Sequence, residues 1–280
     1  MNPKYAGDAF RERFGAWALV AGGSDGLGAA YAKDLARRGL NVALIARREG
    51  PLLDMAAAIR AEFGVETKVI SADLTALDIG ERVAAETGAL DVGLFIYNAG
   101  SNRVMKPFVE LPLEELLFML HLNCRGPLLL SKHFAERLQQ RGRGGLILMS
   151  SLACLAGSAY GAIYSASKSF DTILAEGLWF ELAPHGVDVL GVIAGATKTE
   201  SMLHDSEHFD NAMDPMQVAV GALDHLGKGP NWVPGVENRA AARGMSPAPR
   251  VALINGMSQA TAELFDLPYS PVEGREFDED

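Results

Sequence analysis

Short runs of apolar residues alternate along the chain with longer stretches whose apolar positions recur at a helical period. The runs are nearly continuous, which predicts strands buried on both faces, as in a parallel sheet covered by helices. This strand–helix order favours an α/β fold with a single doubly wound, Rossmann-type parallel sheet flanked by helices. The predicted strands are 17–21, 41–46, 68–71, 92–97, 145–150, 187–193 and 231–233. The predicted helices are 26–38, 52–63, 113–141, 162–183 and 215–226.

The chain is interpreted as one domain over residues 1–280, because no internal repeat or low-complexity linker divides it. Residues 199–215 are polar and irregular, and we expect them to form a substrate lid. The apolar residues of this lid would either line a lipophilic pocket or serve as ordinary packing. They are Met202, Leu203, Phe209 and Met213. Residues 236–280 fit no strand of the sheet and form a predicted C-terminal extension.

A glycine-rich turn follows the first predicted strand and opens the first predicted helix. Glycines let the backbone turn tightly and approach a pyrophosphate, and the helix N-terminus offers free N–H groups and a partial positive charge. A turn of this kind after a buried strand is typical of dinucleotide-binding folds. The residues expected to hold the cofactor here are Gly22, Ser24, Asp25, Gly26, Leu27 and Gly28.

Tyr164 and Lys168 form a pair with acid–base potential. At a spacing of four residues both side chains lie on one face of the predicted helix. A free phenol has a pKa of about 10, and a nearby ammonium group lowers that value toward neutrality. Tyr164 would then donate a proton to a carbonyl oxygen or accept one from an alcohol. Taken alone, the pair is more often an ordinary Tyr and Lys on an exposed helix.

The combined pattern of motifs resembles the short-chain dehydrogenase/reductase superfamily over residues 14–235. The glycine turn has the spacing GxxxGxG, and a serine stands 13 residues before Tyr164. The other matching positions are Asp73 and Leu74 after strand three, Asn98, Ala99 and Gly100 after strand four, Asn123, Ser151, Tyr164 and Lys168. Residues 17–47 and 64–73 look like the very-long-chain 3-oxoacyl-CoA reductase and 17β-hydroxysteroid dehydrogenase branch, which hints at a lipophilic carbonyl or alcohol substrate.

The resemblance implies a role for each of four catalytic residues. Ser151 would hydrogen-bond the substrate oxygen, and Tyr164 would be the general acid/base. Lys168 would hold the nicotinamide ribose, and Asn123 would support a water-linked proton relay through its backbone. Ser150 is a rival to Ser151, but neighbouring strand residues point to opposite faces, and the family spacing selects Ser151.

The end of the second predicted strand indicates which cofactor is used. An acidic residue there would hold the ribose 2′-hydroxyl of NAD, whereas basic residues accommodate the phosphate of NADP. Arg47 and Arg48 stand at this point, and arginine suits a phosphate through bidentate contact. We therefore expect NADP(H), although a solvated basic turn is the alternative. Gly195, Thr197 and Thr199 are expected to contact the nicotinamide end.

Three positions depart from the family's motifs. Ala21 stands in place of the threonine before the first glycine, and Tyr97 replaces the first asparagine of the NNAG motif. Ala194 replaces the proline of the PG motif. None of these changes removes an acid, a base or a phosphate ligand.

The composition and charge argue against a nucleic-acid-binding, membrane-spanning, metal-binding or secreted protein. The 280 residues carry a formal net charge of −10, which repels nucleic acid and anionic membrane surfaces. No apolar run approaches the ~18 residues of a membrane span, and no Cys/His spacing suggests a metal site. The N-terminus lacks the apolar segment of a secretion signal. Only Cys124 and Cys154 are present, interpreted as small buried residues, so we expect a cytoplasmic protein without a disulfide framework.

Two functions follow as hypotheses. The first is an NADP(H)-dependent oxidoreductase that interconverts a carbonyl and a secondary alcohol, and the second is a non-catalytic NADP-binding regulator or scaffold. The complete set of Ser151, Tyr164 and Lys168 favours the enzyme. The resemblance also implies a homodimer or homotetramer formed by helices 113–141 and 162–183. The second helix carries apolar residues expected at an interface: Phe170, Ile173, Leu174, Leu178, Trp179 and Leu182.

Overall fold

Seven parallel strands form one sheet in the computed structural model, which describes residues 8–101, 106–158, 160–199, 212–245, 249–252, 255, 256, 259 and 269–274. The strands are β1 (Trp17–Ala21), β2 (Asn41–Ala46), β3 (Thr67–Ser71), β4 (Val92–Tyr97), β5 (Gly144–Ser151), β6 (Val187–Ala194) and β7 (Asn231–Trp232). Their order is β3-β2-β1-β4-β5-β6-β7, and every pairing is parallel. The predicted doubly wound sheet is confirmed.

Helices cover both faces of this sheet. They are α1 (Asp8–Phe14), α2 (Gly26–Arg37), α3 (Glu49–Phe63), α4 (Ile79–Thr87), α5 (Leu113–Leu120), α6 (Gly126–Arg141), α7 (Ala162–Leu182), α8 (Pro215–His225) and α9 (Val236–Met245). A single π-helical segment, His121–Arg125, joins α5 to α6. The predicted continuous helix over 113–141 is therefore wrong in that segment. Helix α4 was not predicted, because only its positions 79, 83 and 87 are buried and the other six are largely polar or small.

The apolar core has two layers, one on each side of the sheet. Side chains of α2, α3 and α8 pack on one face, among them Tyr31, Leu52 and Val218. Side chains of α4, α6 and α7 pack on the other, among them Phe134 and Trp179. All six residues of β4 are buried, as expected for a central strand covered on both faces.

Of the six apolar residues of α7 that were predicted at an interface, two are buried, three are half-buried and one is exposed, so an interface on this helix stays a prediction. Trp179 and Leu182 are buried in the core, and Leu174 and Leu178 pack against it. Residues of the C-terminal extension also contact this helix, since the rings of Phe180 and Tyr269 stack with centroids 6.0 Å apart. Of the six residues expected at an interface, Ile173 has an exposed side chain.

The sheet order reverses between β1 and β4, and this reversal positions the site. β2 and β3 extend the sheet to one side of β1, and β5, β6 and β7 extend it beyond β4. In such sheets, ligands bind beyond the carboxyl ends of the strands at the reversal. No helix within the described ranges is long and apolar enough to cross a membrane.

Candidate active site

The glycine turn between β1 and α2 packs tightly against the carboxyl ends of β2 and β4. The N–H of Gly22 donates a 2.8 Å hydrogen bond to the carbonyl of Ile45, and Gly22 has a φ of +83°. A Cβ at Gly28 would lie 1.9 Å from the carbonyl oxygen of Gly22. A Cβ at Gly22 would lie 2.9 Å from the Cα of Ala99. Any side chain at these positions would push the turn away from the strand ends.

The end of β4 is joined to the same turn by hydrogen bonds. The side-chain amide of Asn98 donates to the carbonyl of Gly22 at 3.1 Å. The N–H groups of Asn98 and Ala99 both donate to the carbonyl of Ala21, at 3.0 and 2.9 Å. Ala21 contributes through its main chain, so the absence of the family's threonine leaves this connection intact.

A cleft of about 400 Å³ opens at the carboxyl ends of β1, β2, β3 and β4. It collects most of the residues predicted to hold the cofactor: Gly22, Asp25, Gly26, Leu27, Arg47, Asp73, Leu74, Asn98, Ala99, Gly100 and Thr199. Seven other residues predicted to hold the cofactor do not line it, namely Ser24, Gly28, Arg48, Tyr164, Lys168, Gly195 and Thr197. The lining residues that the sequence analysis missed are Ala46, Ala72, Thr75, Phe118 and Leu122. Phe118 and Leu122 come from the helical segment after β4, and no sequence signal marked them.

The two arginines after β2 have different surroundings. Arg48 forms an ion pair with Asp25 of the glycine turn, with an N–O distance of 2.7 Å. Arg47 lines the cleft, and its guanidinium carbon lies 5.9 Å from the ring centroid of Phe118. Within the described part of the chain, the Arg47 guanidinium makes no ion pair. It therefore presents to the cleft a positive charge that no carboxylate of the described residues neutralises.

Lys168 is buried behind the cleft on α7. Its Nζ donates to the carbonyl of Met149 at 2.8 Å and to Oδ2 of Asp171 at 2.9 Å. A Cβ at Gly100 would lie 3.1 Å from this Nζ, so a side chain at this lining position would press on the ammonium group. Burial lowers the pKa of Lys168, but the charge interactions with Asp171 and Tyr164 outweigh burial and raise it above its ordinary value.

Tyr164 lies one turn before Lys168 in the first turn of α7, and its side chain is half-buried. Its carbonyl accepts a hydrogen bond of 2.8 Å from the hydroxyl of Ser167. Because Lys168 follows at the fourth residue, the two side chains project from one face of the helix. The phenol and the ammonium group are near enough that Tyr164 contributes to the pKa of Lys168.

Ser150 and Ser151 differ in what they contact. The Ser150 hydroxyl is buried, donates to the carbonyl of Lys168 at 2.7 Å and accepts from Thr172 Oγ1 at 2.7 Å. Ser151 is the last residue of β5, is half-buried, and accepts a long 3.3 Å bond from the N–H of Ala153. The Ser150 hydroxyl is therefore bonded to α7, whereas the hydroxyl proton of Ser151 has no acceptor among the residues that the structure describes.

Asn123 lies in the π-helical segment and is fully buried. Its amide nitrogen donates to the carbonyl of Ser101 and to the hydroxyl of Ser167, both at 3.0 Å. Its Oδ1 accepts from the N–H of Ser101 at 3.0 Å. The side chain thus joins the segment after β4 to α7, next to Lys168.

The segment after β6 borders the glycine turn. A Cβ at Gly26 would lie 2.9 Å from Cγ2 of Thr199, so Thr199 covers the start of α2. Thr197 is buried and pairs with Met213 in a parallel bridge. A Cβ at Gly195 would lie 2.4 Å from Oδ1 of Asn238, which shows that α9 packs on this segment. Residues 200–211 of the predicted lid, with Met202, Leu203 and Phe209, lie outside the described residues.

Three comparisons relate this geometry to known proteins. The sequence model of the family described as short chain dehydrogenase matches residues 16–211. The 7β-hydroxysteroid dehydrogenase of Clostridium sardiniense is 33% identical over 234 residues, which cover 82% of this chain and 89% of that protein. A very-long-chain 3-oxoacyl-CoA reductase of Podospora anserina is 39% identical over 184 residues, but these are 64% of this chain and 54% of that protein.

A solved structure shows the same fold. The short-chain dehydrogenase of Sphingobium yanoikuyae, in complex with NADPH, superposes with a TM-score of 0.75 at 28% identity. The superposition covers 92% of this chain and 98% of that one. The predicted resemblance to the superfamily, and to its oxoacyl-CoA reductase and hydroxysteroid dehydrogenase branches, is confirmed.

Proposed function

This chain belongs to the short-chain dehydrogenase family of nicotinamide-dependent oxidoreductases, and from that premise we propose that it interconverts a ketone and a secondary alcohol with NADP(H). The observation that carries this proposal is the pair of Tyr164 and Lys168 on one face of α7, with the Lys168 ammonium group next to Gly100 of the glycine-lined cleft. A scaffold that only binds a nucleotide has no need of a buried ammonium group next to a phenol.

The residues of the cleft fit a phosphorylated dinucleotide. The turn from Gly22 to Gly26 and the N-terminus of α2 would face the pyrophosphate. Arg47 would hold the 2′-phosphate of the adenosine ribose, because its guanidinium lines the cleft beyond β2. Asp73 would lie on the adenine side, where its carboxylate already accepts from the N–H and hydroxyl of Thr75. The NADPH bound to the Sphingobium yanoikuyae relative supports this choice of cofactor.

The proton transfer is assigned to Tyr164. A bound nicotinamide supplies or accepts the hydride at the carbon of the substrate. In reduction, the Tyr164 hydroxyl donates its proton to the carbonyl oxygen as negative charge develops there, and Ser151 donates a hydrogen bond to the same oxygen. The nearby Lys168 ammonium stabilises the phenolate that remains. In the oxidation direction the phenolate accepts the alcohol proton.

The substrate is proposed to be lipophilic. The relatives that support this are named for steroids and for very-long-chain 3-oxoacyl-CoA. In this chain Leu152, Cys154 and Leu155, which follow Ser151, pack on Ile193, Val233 and Ala242. This small apolar cluster would form one wall of the substrate region, with α9 of the C-terminal extension behind it. The predicted lid at 199–215 would complete the enclosure.

The experiment is a screen of cofactor oxidation by the purified full chain. Steroid ketones, 3-oxoacyl thioesters and small aliphatic ketones are each offered with NADPH and, in parallel, with NADH. We expect NADPH consumption with at least one lipophilic ketone and slower consumption with NADH. Binding of NADPH without turnover of any ketone in reduction, or any matching alcohol in oxidation, would instead support the non-catalytic binding protein.

A further inference from the structure

A buried carboxylate outside the lining of the cleft contacts Lys168, the lysine of the proposed catalytic pair. Asp171 lies one turn after Lys168 on α7, with its Oδ2 2.9 Å from Nζ. Asp171 is 2% exposed and Lys168 is 5% exposed. The other carboxylate oxygen, Oδ1, is buried with no hydrogen-bond partner among the described residues. The ion pair with Lys168 is therefore the main compensation for burying this charge.

The groups that face this pair come from three elements. Tyr164 approaches Lys168 from α7, and Cys124 approaches both members from the π-helical segment. Tyr97 approaches Asp171 from β4. Burial raises the pKa of Cys124 to about 11, and Asp171 adds to that shift. Burial, and then Asp171, also raises the pKa of Tyr97. Both groups are thus neutral at ordinary pH, and Asp171 is the carboxylate that contacts Lys168 in this cluster.

The lysine is directed by two acceptors at once. Its Nζ donates to Asp171 and to the Met149 carbonyl, which leaves one of its three N–H donors for the space next to Gly100. A lysine on a flexible four-carbon chain would otherwise sample several directions. The two fixed bonds select the direction in which the third points.

We propose that Asp171 is a positioning residue, which keeps the Lys168 ammonium group charged and aimed at the cofactor ribose and the Tyr164 hydroxyl. Removing the carboxylate would leave a buried ammonium group without its counter-charge, and such a lysine loses its proton more readily. The inference rests on the proposed function for its catalytic consequence, but the charge state of Lys168 does not depend on any substrate.

The direct test is titration of Lys168 by NMR of 13C-labelled lysine, with Lys168→Arg used to assign the resonance. Burial raises the pKa of Asp171, and the neighbouring Lys168 ammonium group partly offsets this rise. In the wild-type chain we expect the pKa of Lys168 to lie above 10.5. In Asp171→Asn we expect it below that value. A wild-type lysine that titrates below 10.5, or an unchanged value in Asp171→Asn, would overturn the proposal.

The catalytic readout is the pH profile of kcat/KM for alcohol oxidation. Asp171→Asn should lose activity at alkaline pH, by about tenfold for each pKa unit lost by Lys168, because one unit changes the protonated fraction about tenfold. Asp171→Glu retains a carboxylate and should recover part of the alkaline range. An Asp171→Asn profile that is merely scaled down at every pH would contradict the positioning role.

A matched control separates this effect from the general loss of a buried ion pair. Asp34 is a buried carboxylate on α2, 2.8 Å from Arg38 and outside the site. Asp34→Asn should lower the thermal stability without moving the pH profile. If the wild-type chain turns over no alcohol or ketone, the proposed function fails, yet the NMR titration still decides the role of Asp171.

Discussion

The hydroxyl of Tyr97 donates a 2.6 Å hydrogen bond to the main-chain carbonyl of Leu122, the residue before Asn123. This bond joins β4 to the π-helical segment. A Cβ at Gly126 would lie 2.2 Å from the same hydroxyl, so the phenol reaches the segment only because residue 126 is glycine. Tyr97 stands where the family has asparagine, and here it supports the segment that carries Asn123.

Replacing Tyr97 with phenylalanine should therefore loosen the support of Asn123. The buried carbonyl of Leu122 would lose this donor, at a cost of about 1–3 kcal/mol of stability. We expect a lower free energy of unfolding in urea and a fall in kcat with little change in NADPH affinity. Tyr31→Phe is the control, since the Tyr31 hydroxyl is buried against the sulfur of Met149, a weak acceptor. Equal effects of the two variants on kcat would argue against a specific role for Tyr97.

Arg47 should determine the preference for NADPH over NADH. Its replacement by alanine removes a charge-assisted contact with the 2′-phosphate, which is worth about 1.5–3 kcal/mol, or about 10- to 150-fold in affinity. NADH lacks that phosphate, so its dissociation constant should barely change. Fluorescence titration of both cofactors measures this. Arg60→Ala, on the exposed face of α3, is the control. An equal loss of both cofactors in Arg47→Ala, or tighter binding of NADH by the wild-type chain, would reject NADP(H) as the cofactor.

The apolar face of α5 should form a subunit interface. Leu113, Leu117 and Leu120 are 65%, 44% and 39% exposed and recur at helical spacing. Leu128 at the start of α6 is 47% exposed. A second copy packed by two-fold symmetry would cover this face against itself. We expect light scattering to show a homodimer or a larger assembly, and Leu117→Asp to dissociate it. Leu77→Asp, at an exposed site in the β3–α4 loop, should leave the assembly intact. A wild-type monomer at micromolar concentration would disprove the interface.

The sequence predicts the sheet well because its strands are buried on both faces and read as continuous apolar runs. It also predicts eleven of the sixteen residues that line the cleft, since glycine turns and strand ends carry strong local signals. The π-helical break is a different case. Tyr97 contacts this segment at Leu122, 25 residues away along the chain, and a local helical period does not reveal such a contact.

Asp171, unlike the π-helical segment, has a local signal in the sequence. It lies seven residues after Tyr164 and three after Lys168, so helical spacing alone places it near the face of the catalytic pair. A carboxylate near that face of an apolar helix indicates a possible partner for the lysine. What the sequence does not provide is the burial that makes Lys168 its partner. Phe118 had no such signal, because its position at the cleft depends on how α5 crosses the end of the sheet.

The assignment of Tyr164 as the general acid/base is the central claim, and Tyr164→Phe tests it most directly. Only the hydroxyl is removed, so the fold and the cofactor contacts should persist. The measurement is kcat for reduction of the best ketone, with NADPH affinity determined by fluorescence on the same preparation. We predict a loss in kcat of about 10²- to 10⁴-fold, typical of a missing general acid, with an unchanged NADPH dissociation constant. A variant that binds NADPH normally and retains more than about a tenth of the wild-type rate would contradict it.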